Sequence, residues 1–214
     1  MAEPSFIPYE LISEGGIVMW PIFFCSFVAL AIVIDRLLFL RRASINTREF
    51  METMRQVLRQ NRIQEAIQIC DETDAPIARL MKAGVLKHNR SKDEMREAIQ
   101  DAGNLEMPHL ERRLSALATC ANVAPLLGLL GTVTGMIKAF DQIQNKRGLV
   151  NPSDLAEGIG NALITTAAGL VVAIPALVVY NYLVTRVDNL VVEMEISSAE
   201  VVDLLARHRD EDGD

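Results

Sequence analysis

Residues 158–185 read GIGNALITTAAGLVVAIPALVVYNYLVT, and these 28 positions contain no Asp, Glu, Lys or Arg. Two further stretches of the 214-residue chain are equally free of charge, 15–34 with 20 residues and 114–137 with 24. A helix of about 20 apolar residues crosses a hydrocarbon core of about 30 Å. Because the charge is segregated in this way, the sequence predicts three transmembrane helices. It excludes a soluble enzyme, a disordered chain and a disulfide-stapled scaffold.

The charge balance and the scattered reactive side chains exclude further classes. The formal net charge of −7 argues against a nucleic-acid partner, since such proteins need a basic face. Cys25, Cys70 and Cys120 show no C-x-x-C spacing, and the three histidines lie far apart in the sequence. The sequence therefore predicts no metal site, no cofactor and no catalytic residue, and an enzyme is the least favoured class.

Basic residues beside the spans predict the orientation. No Lys or Arg precedes the first span, whereas Arg36, Arg41 and Arg42 follow it and Arg112 and Arg113 precede the second. Positively charged flanks stay in the cytoplasm, so we expect the N-terminus outside and the C-terminus inside. A cleaved signal peptide begins with a basic segment, which is absent here, so the first span is expected to be a permanent helix.

The polar parts of the chain read as helices, so the predicted fold class is all-α. Ser91–Glu94 forms a capping box, and the helix that it starts is expected to continue into the second span, with a bend at Pro108. After Arg186 the apolar residues form one stripe, which must pack on the insert or on a neighbouring subunit. The predicted segments are an external N-terminus (1–14), transmembrane helix 1 (15–40), a cytoplasmic helical insert (41–113), transmembrane helix 2 (114–140), an external loop (141–157), transmembrane helix 3 (158–185) and a cytoplasmic amphipathic helix with an acidic tail (186–214).

The second and third spans differ from the first because they contain many small and polar residues. Small residues let helix backbones approach closely, and several prolines and glycines are assigned to helix packing. These packing residues are Pro125, Gly128, Gly131, Gly135, Gly169 and Pro175. Polar side chains facing lipid would be costly, so the remaining ones are assigned to an ion pathway or pore lining. These lining residues are Thr132, Asn161, Thr165 and Thr166.

The uncharged stretches that form these two spans, 114–137 and 158–185, contain no Asp, Glu, Lys, Arg or His. Membrane proteins that move protons or charged solutes keep an ionisable group near the middle of the membrane. Two explanations stay open at this point: the chain moves nothing, or the ionisable group lies on a partner's helix.

Several blocks of sequence resemble those of a known family. They are 15–21 GGIVMWP, 122–133 NVAPLLGLLGTV, 162–170 ALITTAAGL and 173–176 AIPA. In this order the blocks are similar to those of the MotA/TolQ/ExbB proton-channel family, and within it to the ExbB/TolQ branch. The resemblance extends over nearly the whole chain, from about Gly15 to Leu205.

The resemblance implies three transmembrane helices extended into a cytoplasmic helical domain, assembled as a homopentameric ring in the lipid of a Gram-negative inner membrane. A single-span ExbD- or TolR-like partner would bring an aspartate into the pore, where Thr132 and Thr166 occupy the positions of the threonines that face it. Proton flow would then drive a TonB- or TolA-like protein. The ExbB-like role in TonB-dependent transport is favoured, with a TolQ-like role in envelope integrity and division as the alternative.

Two positions depart from the family pattern. Asn161 stands where the family often has glutamate, and Thr134 replaces a common tryptophan.

Other function classes also stay open. A non-conducting membrane scaffold is an alternative, an autonomous transporter would need more spans or an internal repeat, and a flagellar stator would need an extra span.

Overall fold

The structure, a computed structural model, describes residues 16–43, 47–145 and 152–212, and the regular elements in these ranges are seven α-helices. The helices are α1 (Met19–Ala43), α2 (Thr47–Arg59), α3 (Ile63–Glu72), α4 (Pro76–Val85), α5 (Lys92–Glu111), α6 (Leu114–Asn145) and α7 (Pro152–Asp212). The predicted all-α class is confirmed. The expectations for residues 1–14, for the middle of the 141–157 loop and for the last two residues of the tail lie outside the described residues.

Among the residues that the structure describes, three segments are long and apolar enough to cross a membrane: Met19–Arg41, Lys92–Gln144 and Gly158–Arg207. The chain divides into two compact units. We call Arg113–Tyr182, together with the residues up to Ile34, the apolar unit, and Asp35–Arg112 with Leu183–Asp214 the charged unit.

The outer surface of α1 in the apolar unit is made of large apolar side chains. Trp20, Phe24 and Phe27 are all exposed. Exposure of three aromatic rings on one helix costs free energy in water but not in hydrocarbon, where apolar surface needs no covering. This surface agrees with a helix that faces lipid.

In the charged unit the C-terminal part of α7 packs on the insert of the same chain. Its apolar stripe is buried, and the buried members include Val187, Leu190, Met194, Val201 and Leu205. Two ion pairs join the polar edges of the stripe to the insert. Arg55 Nη2 donates to Glu200 Oε2 at 2.7 Å, and Lys92 Nζ lies 2.5 Å from Asp203 Oδ1. Of the two expectations for this stripe, packing on the insert is therefore the one observed.

The expected continuous helix from the insert into the second span is wrong. Pro108 lies inside α5 without ending it, and the helix stops instead at Glu111. Arg112 leaves the helical region with ψ 134°, and Arg113 has a φ of +66°. A positive φ at a residue other than glycine is uncommon, so the residue types did not signal a break at this position.

Arg36 of α1 supplies a partner to the end of α5. The last four carbonyl groups of a helix have no partner within it. The Arg36 guanidinium donates to the carbonyl oxygen of His109 at 3.3 Å and to Asp35 Oδ2 at 3.0 Å. It also lies over the ring of Phe39, 4.8 Å from the ring centroid. This buried arginine, which sequence reasoning used only as an orientation signal, therefore caps the helix before the break.

The capping box at the start of α5 is confirmed. Ser91 Oγ accepts from the Glu94 amide at 3.2 Å, and Glu94 Oε2 accepts from the Ser91 amide at 3.0 Å. The hydrogen bond from the Ser91 backbone, followed by the one from its hydroxyl, lowers the pKa of Glu94. The two residues thus satisfy two amides that the first turn of the helix leaves free.

Replacement of Ser91 by alanine should lower the free energy of unfolding by about 1 kcal/mol, since it removes the acceptor for the Glu94 amide. Because the pKa of Glu94 is lowered by folding, its contribution is complete above the unfolded pKa of about 4.3 and is lost as the pH falls through the folded pKa. The difference between wild type and S91A should therefore shrink in acid. Chemical unfolding of the purified full chain in detergent, followed by circular dichroism, measures it. S91T keeps the hydroxyl and is the control; equal loss in S91T and S91A would contradict the capping role.

A candidate ion-pathway site on α6 and α7

The site is built on a close contact between the backbones of α6 and α7 in the apolar unit. A Cβ atom on Gly169 would lie 2.6 Å from the carbonyl oxygen of Ala124, and one on Gly128 would lie 2.9 Å from Cα of Thr166. Both distances are shorter than real Cβ contacts, and the obstructing atoms are backbone atoms that cannot turn aside. Only glycine fits at these two positions.

The contacts further along the pair run in the opposite order on the two helices. Gly131 of α6 meets Thr165, and Gly135, one turn later, meets Ala162, where an added Cβ would lie 2.7 Å from the alanine Cβ. Gly158 in turn meets Ala139. The two helices are therefore antiparallel, with small residues on both sides of the contact, as is usual where membrane helices pack closely.

The residues assigned to helix packing differ in how far they take part in this contact. Gly128, Gly131 and Gly169 are buried and Gly135 is half-buried, all against α6–α7 partners. Pro125 is half-buried and Pro175 is exposed. The close approach thus depends on the glycines.

Thr165 lies inside the helix contact. It is 1% exposed, and its Oγ1 donates to the carbonyl oxygen of Ala162 at 2.7 Å. The same hydroxyl is the atom that a Cβ on Gly131 would strike. Within one subunit Thr165 therefore has no free surface and fills the space that Gly131 leaves.

Thr166 and Thr132, which we call the threonine pair, lie at the edge of the same contact. Thr166 Oγ1 donates across the helices to the carbonyl oxygen of Gly128 at 2.9 Å. Thr132 follows Gly128 by one turn, on the same side of α6, and its Oγ1 donates to the carbonyl oxygen of Leu129 at 2.7 Å. Both side chains are half-buried. We call the surface around these two side chains the polar notch.

Asn161 lies away from this notch. It precedes Thr166 by five residues, which places it about 140° further around α7. Its side chain is half-buried. Thr132 and Thr166 thus both lie on the Gly128 side of the helix contact, whereas Asn161 lies further around α7.

The surroundings of the threonine pair are apolar and exposed. Leu129 on α6 and Leu163 and Leu170 on α7 all have exposed side chains. With hydroxyl and carbonyl oxygens but no ionisable side chain, the notch can hydrogen-bond to water or to an acid, but it cannot itself store a proton. Sequence reasoning missed one member, the carbonyl group of Gly128. Its signal is the absent side chain, which leaves the carbonyl open to Thr166.

Alanine at Gly169 should push α6 and α7 apart, because its Cβ would overlap the Ala124 carbonyl group. We expect a loss of about 1–3 kcal/mol of stability, the usual cost of overpacking. Gly160 on the same helix is the matched control, since a Cβ there would have nothing within 4 Å. G160A should be neutral or slightly stabilising, as alanine favours helix. Thermal unfolding of both variants in the same detergent measures the difference, and equal stability would contradict the packing described.

Comparisons with known proteins all point to one family. Residues 72–196 match the MotA/TolQ/ExbB proton channel family. The putative biopolymer transport protein ExbB-like 3 of Synechocystis sp. is 31% identical over 168 residues, which is 78% of this chain and 80% of that protein. The Tol-Pal system protein TolQ of Haemophilus influenzae is 44% identical over 91 residues, 42% of this chain and 40% of that protein.

A solved structure shares the fold. The structure of C. jejuni MotAB superposes with a TM-score of 0.68 at 17% identity, and covers 95% of this chain and 81% of that one. The resemblance to the ExbB and TolQ branch is confirmed by the named relatives. With its three candidate membrane spans, the chain is a multi-pass membrane protein that belongs to the MotA/TolQ/ExbB proton channel family.

Proposed function

We propose that this chain is the proton-channel subunit of an inner-membrane motor in a Gram-negative bacterium. The motor uses proton-motive force to energise TonB-dependent transport across the outer membrane. One observation carries the proposal: the threonine pair lies at the edge of a tight glycine contact, in stretches (114–137 and 158–185) without Asp, Glu, Lys, Arg or His. Such a notch is suited to an acid that comes from another protein.

The subunit is proposed to form a homopentameric ring with α6 and α7 around a central pore. A polar notch such as the threonine pair is costly against lipid, so it belongs on the inside of the ring. The aromatic surface of α1 belongs on the lipid side. Thr132, Thr166 and Asn161 are assigned to the pore surface, and Thr165 supports it from within the helix contact.

The partner in the pore is proposed to be an ExbD- or TolR-like single-span protein with one aspartate. Proton uptake and release by this acid would alternate its attachment to the threonine pair and so move the partner relative to the ring. A charge that crosses a potential of 100 mV gains about 2.3 kcal/mol, so a few protons supply enough free energy to pull a TonB-like arm.

The orientation in this proposal follows the basic residues, with the N-terminus in the periplasm and the C-terminus in the cytoplasm. The insert (41–113) and the end of the chain (186–214) then lie on the same side of the membrane. The joint burial of the α7 stripe and the insert in one unit supports this arrangement.

A TolQ-like role in envelope integrity and division is the second candidate. It is favoured by the 44% identity to the H. influenzae TolQ protein over the matched segment. The ExbB-like role is preferred because the ExbB-like relative matches 78% of the chain.

The double variant T132V/T166V tests the channel function. Valine keeps the shape of threonine but removes both hydroxyls. Because each lost hydrogen bond costs about 1 kcal/mol, uptake through an outer-membrane TonB-dependent receptor should fall roughly tenfold or more. T134V is the control, because Thr134 loses the same kind of hydroxyl but lies about 200° around α6 from Thr132. Uptake is measured with a radiolabelled iron chelate in a strain that lacks the wild-type gene.

The same assay separates the alternatives. If T132V/T166V retains full uptake while the chain stays in its complex, the chain acts as a scaffold and the channel assignment fails. If uptake is normal without the chain but the cells become detergent-sensitive and divide in filaments, the TolQ-like role holds.

The ring should contain five copies of the chain. Native mass spectrometry of the detergent-purified complex should give five copies of the 23.7 kDa subunit, with a smaller single-span protein bound to them. A different copy number would contradict the pentamer, and a complex without any acid-bearing partner would contradict the proposed source of the titrating group.

A further inference from the structure

Two of the three cysteines, far apart in the sequence, meet between α1 and α6 in the apolar unit. The thiol of Cys25 is the side-chain hydrogen-bond partner of the Cys120 thiol. Both residues belong to the same compact unit, and both thiols are free. Spacing along the sequence could not indicate this pair, because two separate helices bring its members together. We call Cys25 and Cys120 the thiol pair.

The thiol pair lies well inside the hydrocarbon region. Cys25 is near the middle of the uncharged stretch 15–34, about 15 Å of helix from either end. It is on the side of α1 that also carries the buried residues Ile22, Ala29 and Ile32. The stretches 15–34 and 114–137 contain no Lys, Arg or His, so none of their side chains can balance the charge of a thiolate. Since an unbalanced charge is costly in hydrocarbon, the neutral form is favoured here.

The two thiols differ in how easily a reagent can reach them. Cys120 is 9% exposed, whereas Cys25 is half-buried on a helix whose exposed rings include Phe24 and Phe27. A reagent dissolved in lipid therefore reaches Cys25 first, and Cys120 is in place to react with the product. A thiol that reacts first and a second thiol beside it that completes a disulfide are the usual parts of a redox-sensing pair.

The thiol pair is separate from the threonine pair and from the third cysteine. Cys120 lies about 120° around α6 from Thr132. Cys70 is buried in the charged unit, where burial and then the carboxylate of Asp71 raise its pKa to about 12. Because the thiolate is the reactive form, Cys70 is inert and serves as an internal control.

We propose that the thiol pair is a redox modification site, at which a lipid-soluble quinone oxidises Cys25 and Cys120 to a disulfide that joins α1 to α6. The oxidant must reach the pair through lipid, and it must accept protons as well as electrons because thiols lose both. Both S–H bonds break, one S–S bond forms, and the quinone takes up two electrons and two protons to become the quinol. Dithiol and disulfide are both uncharged, so neither state leaves a charge in the hydrocarbon.

The disulfide would restrain α6 within its subunit. Residues joined in this way have their Cα atoms about 4.4–6.8 Å apart, so the spacing of α1 and α6 becomes fixed. Because α6 supplies part of the proposed pore surface, we expect oxidised subunits to energise uptake less well. This consequence rests on the proposed function, whereas formation of the disulfide does not.

The test uses the purified full chain in liposomes, with a ubiquinone analogue added to the lipid. Free thiols are then blocked with N-ethylmaleimide in denaturant, and the digest is analysed by mass spectrometry. We expect a peptide pair cross-linked through Cys25 and Cys120, which a reductant separates. C25S and C120S should each lose this cross-link, and C70S should keep it. Ferricyanide, an oxidant that stays in the water, should leave the thiols free.

Absence of the cross-link in quinone-treated wild type that retains its helical circular dichroism overturns the proposal. A bond between the Cys25 residues of two subunits in place of the internal one overturns it as well, and so does an equal yield with ferricyanide.

Uptake in cells separates the proposal from the proposed function. At a concentration of the quinone analogue that leaves uptake in C25S cells unchanged, wild-type cells should lose uptake, and a membrane-permeant reductant should restore it. Equal uptake in the two strains overturns the effect on the motor. Failure of the proposed function looks different, because uptake would then not depend on the chain at all.

Discussion

The approach of α6 and α7, backbone against backbone, is the constraint on which the rest of the site depends. At Gly169 and Gly128 the facing atoms belong to the main chain of the other helix, so no side chain fits between them. This closeness brings the Thr166 hydroxyl within reach of the Gly128 carbonyl group. Had either glycine a side chain, the helices would separate and this bond would be lost.

The close contact between α6 and α7 also determines where the polar atoms of this apolar region lie. Hydroxyl protons that point to backbone carbonyl groups are satisfied without water, which the interior of a membrane cannot offer. The same arrangement leaves oxygen lone pairs at the surface of the notch.

Much of the fold could be read from residue patterns, because the relevant interactions are local. The spans follow from the distribution of charge, the start of α5 from the Ser91–Glu94 capping box, and the buried side of α7 from the spacing of its apolar residues. Gly131 and Gly135, one turn apart, likewise mark a face that another helix approaches. Each of these signals lies within a few turns of one helix.

The sequence by itself determined the helical class and the three stretches without charged residues, since these depend on composition and short-range periodicity. The tertiary structure decided the break at Arg112–Arg113, because the Arg36 side chain that caps α5 comes from more than seventy residues away. It also decided that Thr165 is enclosed whereas Thr166 reaches the surface. These neighbours differ by about 100° of helix rotation, and only the position of the facing helix determines which of them is buried.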